Sequence, residues 1–241
     1  MTSSLDILVF GAHPDDVEIA CGGTIVRALR QGQKVGIVDL TRGEMGTRGT
    51  AETRAQERSR AAEILGVQIR EQLDFGDGTL RTGRKEEMTL VELIRRHRPR
   101  LLIAPWPDDR HPDHTRTGQL VTDAWFYSGL AKLESTLPAH RPDAVIYYIQ
   151  NYVQQPSVVV DVSAVWPVRM EAMLAYQSQF HDPDSTEPMT FISRPSFLQL
   201  IEARARHFGG LIGVEYGEAF VSRQPPMADD LVAAYRGREI S

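Results

Sequence analysis

Two short stretches concentrate the side chains able to do chemistry: "GAHPDD" at residues 11–16 and "DDRHPDH" at residues 108–114. Between them they hold three of the seven histidines, His13, His111 and His114, beside a set of aspartates. Imidazole nitrogens and carboxylate oxygens are ligands for zinc and similar divalent ions. A hydrolytic metal site needs three protein ligands with a fourth position for water, a base for that water's proton, and an acid for the leaving group. An aspartate three residues after a histidine, plus a histidine from the distant stretch, supplies such a triad in His13, Asp16 and His114. Asp15 and His111 are then left for proton transfer, and Asp113 for holding the His111 ring in one tautomer. Residue types alone leave the reverse assignment open, with Asp15 as ligand and Asp16 as base. Taken singly, the first stretch also reads as a helix N-cap and the second as a surface turn. Their joint occurrence marks a site.

Both stretches follow apolar runs, "ILVF" (7–10) and "LLIAPW" (101–106). Strand-like runs at 7–10, 34–41, 69–75 and 101–106 alternate with helix-like segments at about 17–31, 51–65, 86–98 and 115–130. Gly32, Gly66 and Pro99 supply helix stops. The pattern predicts an α/β fold, a Rossmann-like, mostly parallel sheet with helices on both faces. Ligands of such sheets bind beyond the carboxyl ends of the strands, where both stretches fall. The later half is less regular, with strands expected at 144–152 and 157–163 and helices at 166–180 and 197–208. The glycine-rich segment 42–50 reads as a loop. With no linker or repeat, residues 1–241 read as one domain.

A net charge of −5 argues against non-specific nucleic-acid binding. No apolar run approaches a membrane span, and the first residues lack the basic start of a signal peptide. One cysteine, Cys21, allows no intrachain disulfide, which fits a cytoplasmic protein. Cys21 reads as a packing residue, His97 as a helix-end cation, and His140, His181 and His207 as surface or packing groups.

"GAHPDDVEIACGGTI" together with "HPDH" resembles the PIG-L/LmbE superfamily of zinc-dependent de-N-acetylases. The likeness runs over nearly the whole chain through "LTRGEMGTRGTAETRAQE" (40–57), "SQF" (178–180), "IEARARHFG" (201–209) and "GVEYGEAF" (213–220). These longer stretches are most similar to the branch that deacetylates N-acetylglucosaminyl-malate in bacillithiol synthesis. The resemblance implies a PIG-L/LmbE-like fold with His13, Asp16 and His114 as zinc ligands and Asp15 as the base. It assigns His111, with Asp113 as its partner, to the leaving amine or the tetrahedral intermediate. It also implies Arg54 and Arg110, with Arg48, beside an anionic substrate, since guanidinium forks suit the carboxylates of malate. A homo-oligomer, in many members a hexamer, is implied as well. Some members place a tyrosine near the reacting carbonyl where this chain has Phe197, which cannot donate a hydrogen bond.

The partner expected is a small N-acetylated amino-sugar conjugate. Other readings keep the chemistry but change the amide, to another N-acetylglucosamine compound or a thiol conjugate. The same donors accept Fe2+ as well as Zn2+, so an oxygen-activating enzyme and a non-catalytic metal-binding protein are further classes. A dinucleotide oxidoreductase is opposed, because "GAHPDD" is not G-x-G-x-x-G and its aspartates would repel a pyrophosphate.

Overall fold

In the computed structural model, which describes residues 4–180 and 184–235, the first apolar run becomes the centre of a sheet. This strand, β1 (Ile7–Gly11), is buried at every position. Its neighbours β2 (Val35–Asp39) and β4 (Leu101–Pro105) both run parallel to it. The order is β3-β2-β1-β4-β5-β7-β6, with β3 (Ile69–Gln72), β5 (Ala144–Tyr148), β6 (Val158–Asp161) and β7 (Gly217–Ser222) completing it. Strands β1 to β5 are parallel, while β7 is antiparallel to both β5 and β6. The fold is the expected Rossmann-like α/β sheet with helices on both faces.

Successive strand side chains point to opposite faces. Ile7 and Val9 join Val17, Ile25 and Ile37 in one core, and Leu8 and Phe10 join Val38, Leu90 and Leu102 in the other. Helices α1 (Asp16–Arg30), α2 (Ala51–Leu65) and α5 (Trp166–Leu174) cover the first face. Helices α3 (Arg84–His97) and α4 (Pro112–Ser128) cover the second, while α6 (Pro195–Leu211) packs on β7. A short α7 (Leu231–Ala234) follows. Among the described residues no helix is long and apolar enough to cross a membrane. His181 lies outside the described residues.

Several boundaries differ from expectation for local reasons. Helix α4 starts at Pro112 rather than near Thr115 because the His111 ring accepts the Asp113 N–H at 3.2 Å. Proline at the first helical position needs no partner for an N–H. Strand β5 ends at Tyr148 instead of 152, and Gln150 and Asn151 turn toward the two aspartate loops. Helix α5 stops at Leu174 rather than reaching 180. Strand β7 was not anticipated, since it opens on Gly217 and the charged Glu218.

Glu218 is buried because it repairs α1. Cys21, itself buried, has a non-helical backbone (φ −147°, ψ 21°), so α1 is two helical pieces. The break frees N–H groups of Gly23 and Thr24, which donate to Glu218 at 2.9 and 2.6 Å. It also exposes the Ile19 carbonyl, which accepts from Arg169 at 2.6 Å and Arg204 at 2.9 Å. Every one of these groups would otherwise be an unpaired polar atom in the interior.

Candidate active site

Between β1 and β4 the strand order reverses, so the loops after these two strands diverge and leave a crevice. The loop after β1 carries an unusual conformation. Asp15 has φ 110° and ψ −30°, a region that costs a non-glycine residue about 1–3 kcal/mol and persists only where the surroundings impose it. Here Asp16 Oδ2 accepts the His13 N–H at 2.9 Å. Arg54 donates to Asp15 Oδ2 at 3.0 Å, to the Gly43 carbonyl at 3.1 Å and to the Pro14 carbonyl. A side chain at position 43 would meet the Arg54 guanidinium, so glycine is required there, and its φ of 67° agrees. The turn thus points neighbouring carboxylates at different partners, Asp15 at Arg54 and Asp16 at two imidazoles.

Asp16 is bracketed by His13 Nδ1 at 3.3 Å and His114 Nε2 at 3.1 Å. A tetrahedral ion with bonds near 2.0 Å has ligand–ligand edges of about 3.3 Å, which both of these separations approach, one on each oxygen of Asp16. The opposite ring nitrogens are held by carboxylates. His13 Nε2 lies 3.1 Å from Asp77 and 3.4 Å from Asp113, and His114 Nδ1 lies 2.9 Å from Asp109. Imidazole ligands are oriented in this way in metal sites, with one nitrogen donating outward and the other presented to the ion. His111 is close enough to serve too, since one nitrogen from each of His13, His111 and His114 lies within 4.8 Å of the others. His13, Asp77 and Asp113 form a second such group, but these carboxylates already accept N–H donors from Met45 and Gly78.

The charges agree with this division. Burial raises the Asp15 pKa from 3.8 to about 7, and Arg54 only partly offsets it. Burial would also raise Asp16, but His114 and His13 hold it well below the usual carboxylate range. Against burial, Asp16 and Asp109 lift His114 to about 9. His13 is likewise raised, against burial, by Asp113, Asp16 and Asp77. His111 moves the other way, lowered by burial and by the positive charges of His13 and His114. Two adjacent aspartates therefore differ in kind, one an ion-pair partner and one a carboxylate reluctant to ionise.

Asp113 does not hold the His111 ring through its carboxylate, as the sequence suggested. The carboxylate accepts from Gly78 N–H at 2.7 Å and Arg116 at 3.0 Å and faces His13, while the backbone N–H reaches His111 Nδ1. The effect on His111 is still to fix its tautomer: with Nδ1 accepting, the neutral ring carries its proton on Nε2.

His13, Asp15, Asp16, His111 and His114 all line one cavity of about 800 Å³. Arg54 lines it as well, with its two terminal nitrogens donating to the loops after β1 and β2 and its Nε left without a partner among the described residues. Arg48 does not line it: its guanidinium donates to the Ser178 carbonyl and Ser185 hydroxyl, both at 2.9 Å. Arg110 lines the cavity, is exposed, and lies over the Phe191 ring at 4.5 Å. Phe197 forms part of the wall at 6 % exposure, and a phenol is supplied elsewhere in the lining by Tyr152. His207, expected at the surface or in packing, lines the cavity too.

Several residues at the site escaped the sequence reading. Asp77 and Asp109 orient the imidazoles, Gln150 donates to Asp16 at 2.8 Å, and Asn151 donates to Asp109 at 2.7 Å. Gln150 and Asn151 follow a parallel strand at its carboxyl end, the signal that could have found them. Arg204 lines the cavity and donates to the Gln150 carbonyl. It lies within a stretch singled out only for its resemblance.

A doubly wound sheet with a His/Asp cluster fit for a divalent cation at its switch point defines the class of protein. The chain belongs to the PIG-L family, described as GlcNAc-PI de-N-acetylase, whose pattern matches residues 8–125. Diacetylchitobiose deacetylase of Thermococcus kodakarensis is 36% identical over 189 residues, covering 72% of this chain and 70% of that protein. A probable N-acetyl-alpha-D-glucosaminyl L-malate deacetylase 2 of Bacillus anthracis is 29% identical, covering 75% of this chain and 84% of that protein. The crystal structure of a conserved protein from Thermus thermophilus superposes with a TM-score of 0.86 at 39% identity, covering 94% of this chain and 98% of that one.

Proposed function

We propose that this protein hydrolyses the acetamido group of an N-acetylglucosaminide, releasing acetate and a free amine. The observation that carries the reading is the convergence of His13, Asp15, Asp16, His111 and His114 on one cavity. His13, Asp16 and His114 would hold a divalent cation, proposed as zinc, with Fe2+ acceptable to the same donors. When bound, such an ion polarises the amide carbonyl and acidifies water. Asp15, with a pKa near neutrality from its burial, takes the proton of the attacking water, and Arg54 fixes the carboxylate while it does so. His111 presents Nε2–H to the carbonyl oxygen as negative charge develops, and the proton held by Asp15 passes to the departing nitrogen as the C–N bond breaks, leaving acetate, the free amine and an ionised Asp15. Asp77, Asp109 and Asp113 keep the imidazoles aimed.

The finer substrate follows the sequence reading less closely. An N-acetylglucosaminyl-malate conjugate is supported by the similarity to the Bacillus protein and by the exposed Arg110. Arg48, engaged outside the cavity, gives it no support, and the similarity to the Thermococcus protein favours an acetylated sugar without malate. Acetate release from N-acetylglucosaminyl-malate, diacetylchitobiose and N-acetylglucosamine, each before and after chelation, tests the proposal. Chelator-sensitive release is expected from at least one of them. No release from any, with metal supplied, overturns it.

A further inference from the structure

We propose that the cavity binds an apolar group attached to the acetamido sugar, so that the preferred substrates are N-acetylglucosaminides with an alkyl or aryl aglycone. The inference rests on the deacetylase reading and deepens it. At about 800 Å³ the cavity stands in the upper part of the range of about 300–1,000 Å³ that takes drug-sized ligands, more than one sugar ring fills. Most of its polar groups come from the loops after β1, β4 and β5, with Arg54, Asp77, Gln179 and Thr190 beside them and Arg204 and His207 on α6. The rest of the lining is of another kind. Phe197, Ile201 and Phe208, at 6 %, 1 % and 2 % exposure, belong to a wall made by α6, and Tyr152, Val153 and Leu200 are exposed in the same lining. Such a set of exposed apolar side chains marks a binding surface.

The two regions are continuous. Arg110, next to His111 in the chain, stacks on Phe191, whose ring meets Phe197 edge-on at 5.6 Å between centroids. An aglycone leaving a sugar whose acetamide lies at His111 therefore runs along aromatic faces. Concavity, and the sharing of one space with the His/Asp cluster, favour a small-molecule occupant over a flat protein partner. The chemistry that fits is a saturated chain or aromatic ring; Arg110 accommodates one anionic group at its near end.

The test is acetate release by the metal-loaded protein from the methyl, phenyl and octyl glycosides of N-acetylglucosamine, with N-acetylglucosaminyl-malate alongside. Apolar burial persists unchanged from bound substrate to transition state, so KM falls while kcat stays nearly constant. A rise of about tenfold or more in kcat/KM from methyl to octyl is expected. Leu200→Gln and Val153→Gln, on an exposed part of the lining, are expected to shrink the octyl-to-methyl ratio severalfold, with the unfolding transition unmoved. A flat or falling series, or a ratio untouched in both variants, overturns the inference. Sedimentation showing that Leu200→Gln dissociates an assembly, with a flat series, reassigns this surface to contact between copies and also overturns it. Release from none of the glycosides or the malate conjugate is a different failure, that of the deacetylase reading itself.

Discussion

Asp15→Asn is expected to stabilise this protein and disable it in a single change. Burial lifts the Asp15 pKa from 3.8 to about 7, so its ionised form is unwelcome inside. At about 1.4 kcal/mol per unit, keeping this carboxylate ionised costs the folded state up to about 4 kcal/mol. Because the folded pKa is the higher one, the proton stabilises the fold fully below about pH 4. That advantage is lost as the pH rises toward 7. Asparagine has nearly the same shape, carries no charge at any pH and tolerates positive φ better than most residues. The loss of the Arg54 ion pair works against the gain, although two carbonyls still accept from that guanidinium. Urea unfolding of both metal-free proteins at pH 4.5, 6 and 8 should show the variant gaining on the parent by on the order of 2–4 kcal/mol across the series. Acetate release by the metal-loaded variant should fall by about 10²–10⁴-fold, the contribution of a positioned base. Parallel pH dependences would refute the burial argument, and an activity within about tenfold of the parent would refute the role of base.

Asp109→Ala removes the acceptor of His114 Nδ1–H, and metal affinity measured by chelator competition should weaken about 10–100-fold. Asp77→Asn should lower affinity in the same assay through His13, and should also raise protease sensitivity at residues 42–50, because Asp77 Oδ2 accepts the Met45 N–H at 2.9 Å. Glu218→Ala leaves Arg169 buried without its carboxylate and strips the α1 break of its acceptor. Urea unfolding should show a loss of about 3–5 kcal/mol.

What could be read in the sequence was whatever local pattern controls. β1 and β4 announce themselves as apolar runs, α2 by Gly66 after it, and the two aspartate-histidine loops by residue types no core would choose. What could not be read depends on groups that meet only in space. The His111 ring caps its own helix and so advances the start of α4. Asp77 and Asp113 come together across α3 and β4 to face His13, which no spacing reveals. That the Arg54 guanidinium, besides lining the cavity, also holds the strained Asp15 turn could not be read from its spacing. Glu218 concealed a strand by interrupting an apolar run with a charge.

The break in α1 also has a consequence for the order in which the fold is made. All the proposed metal ligands lie within the first 114 residues, and a ribosome delivers them early. The groups that secure the helix carrying Asp16 follow later in the chain, Arg169 from α5, Arg204 from α6 and Glu218 from β7. Until Glu218 emerges, Gly23 and Thr24 have no acceptor from β7. The nascent chain thus possesses its reactive residues long before it can hold them rigid, and the site is among the last parts of the molecule to mature.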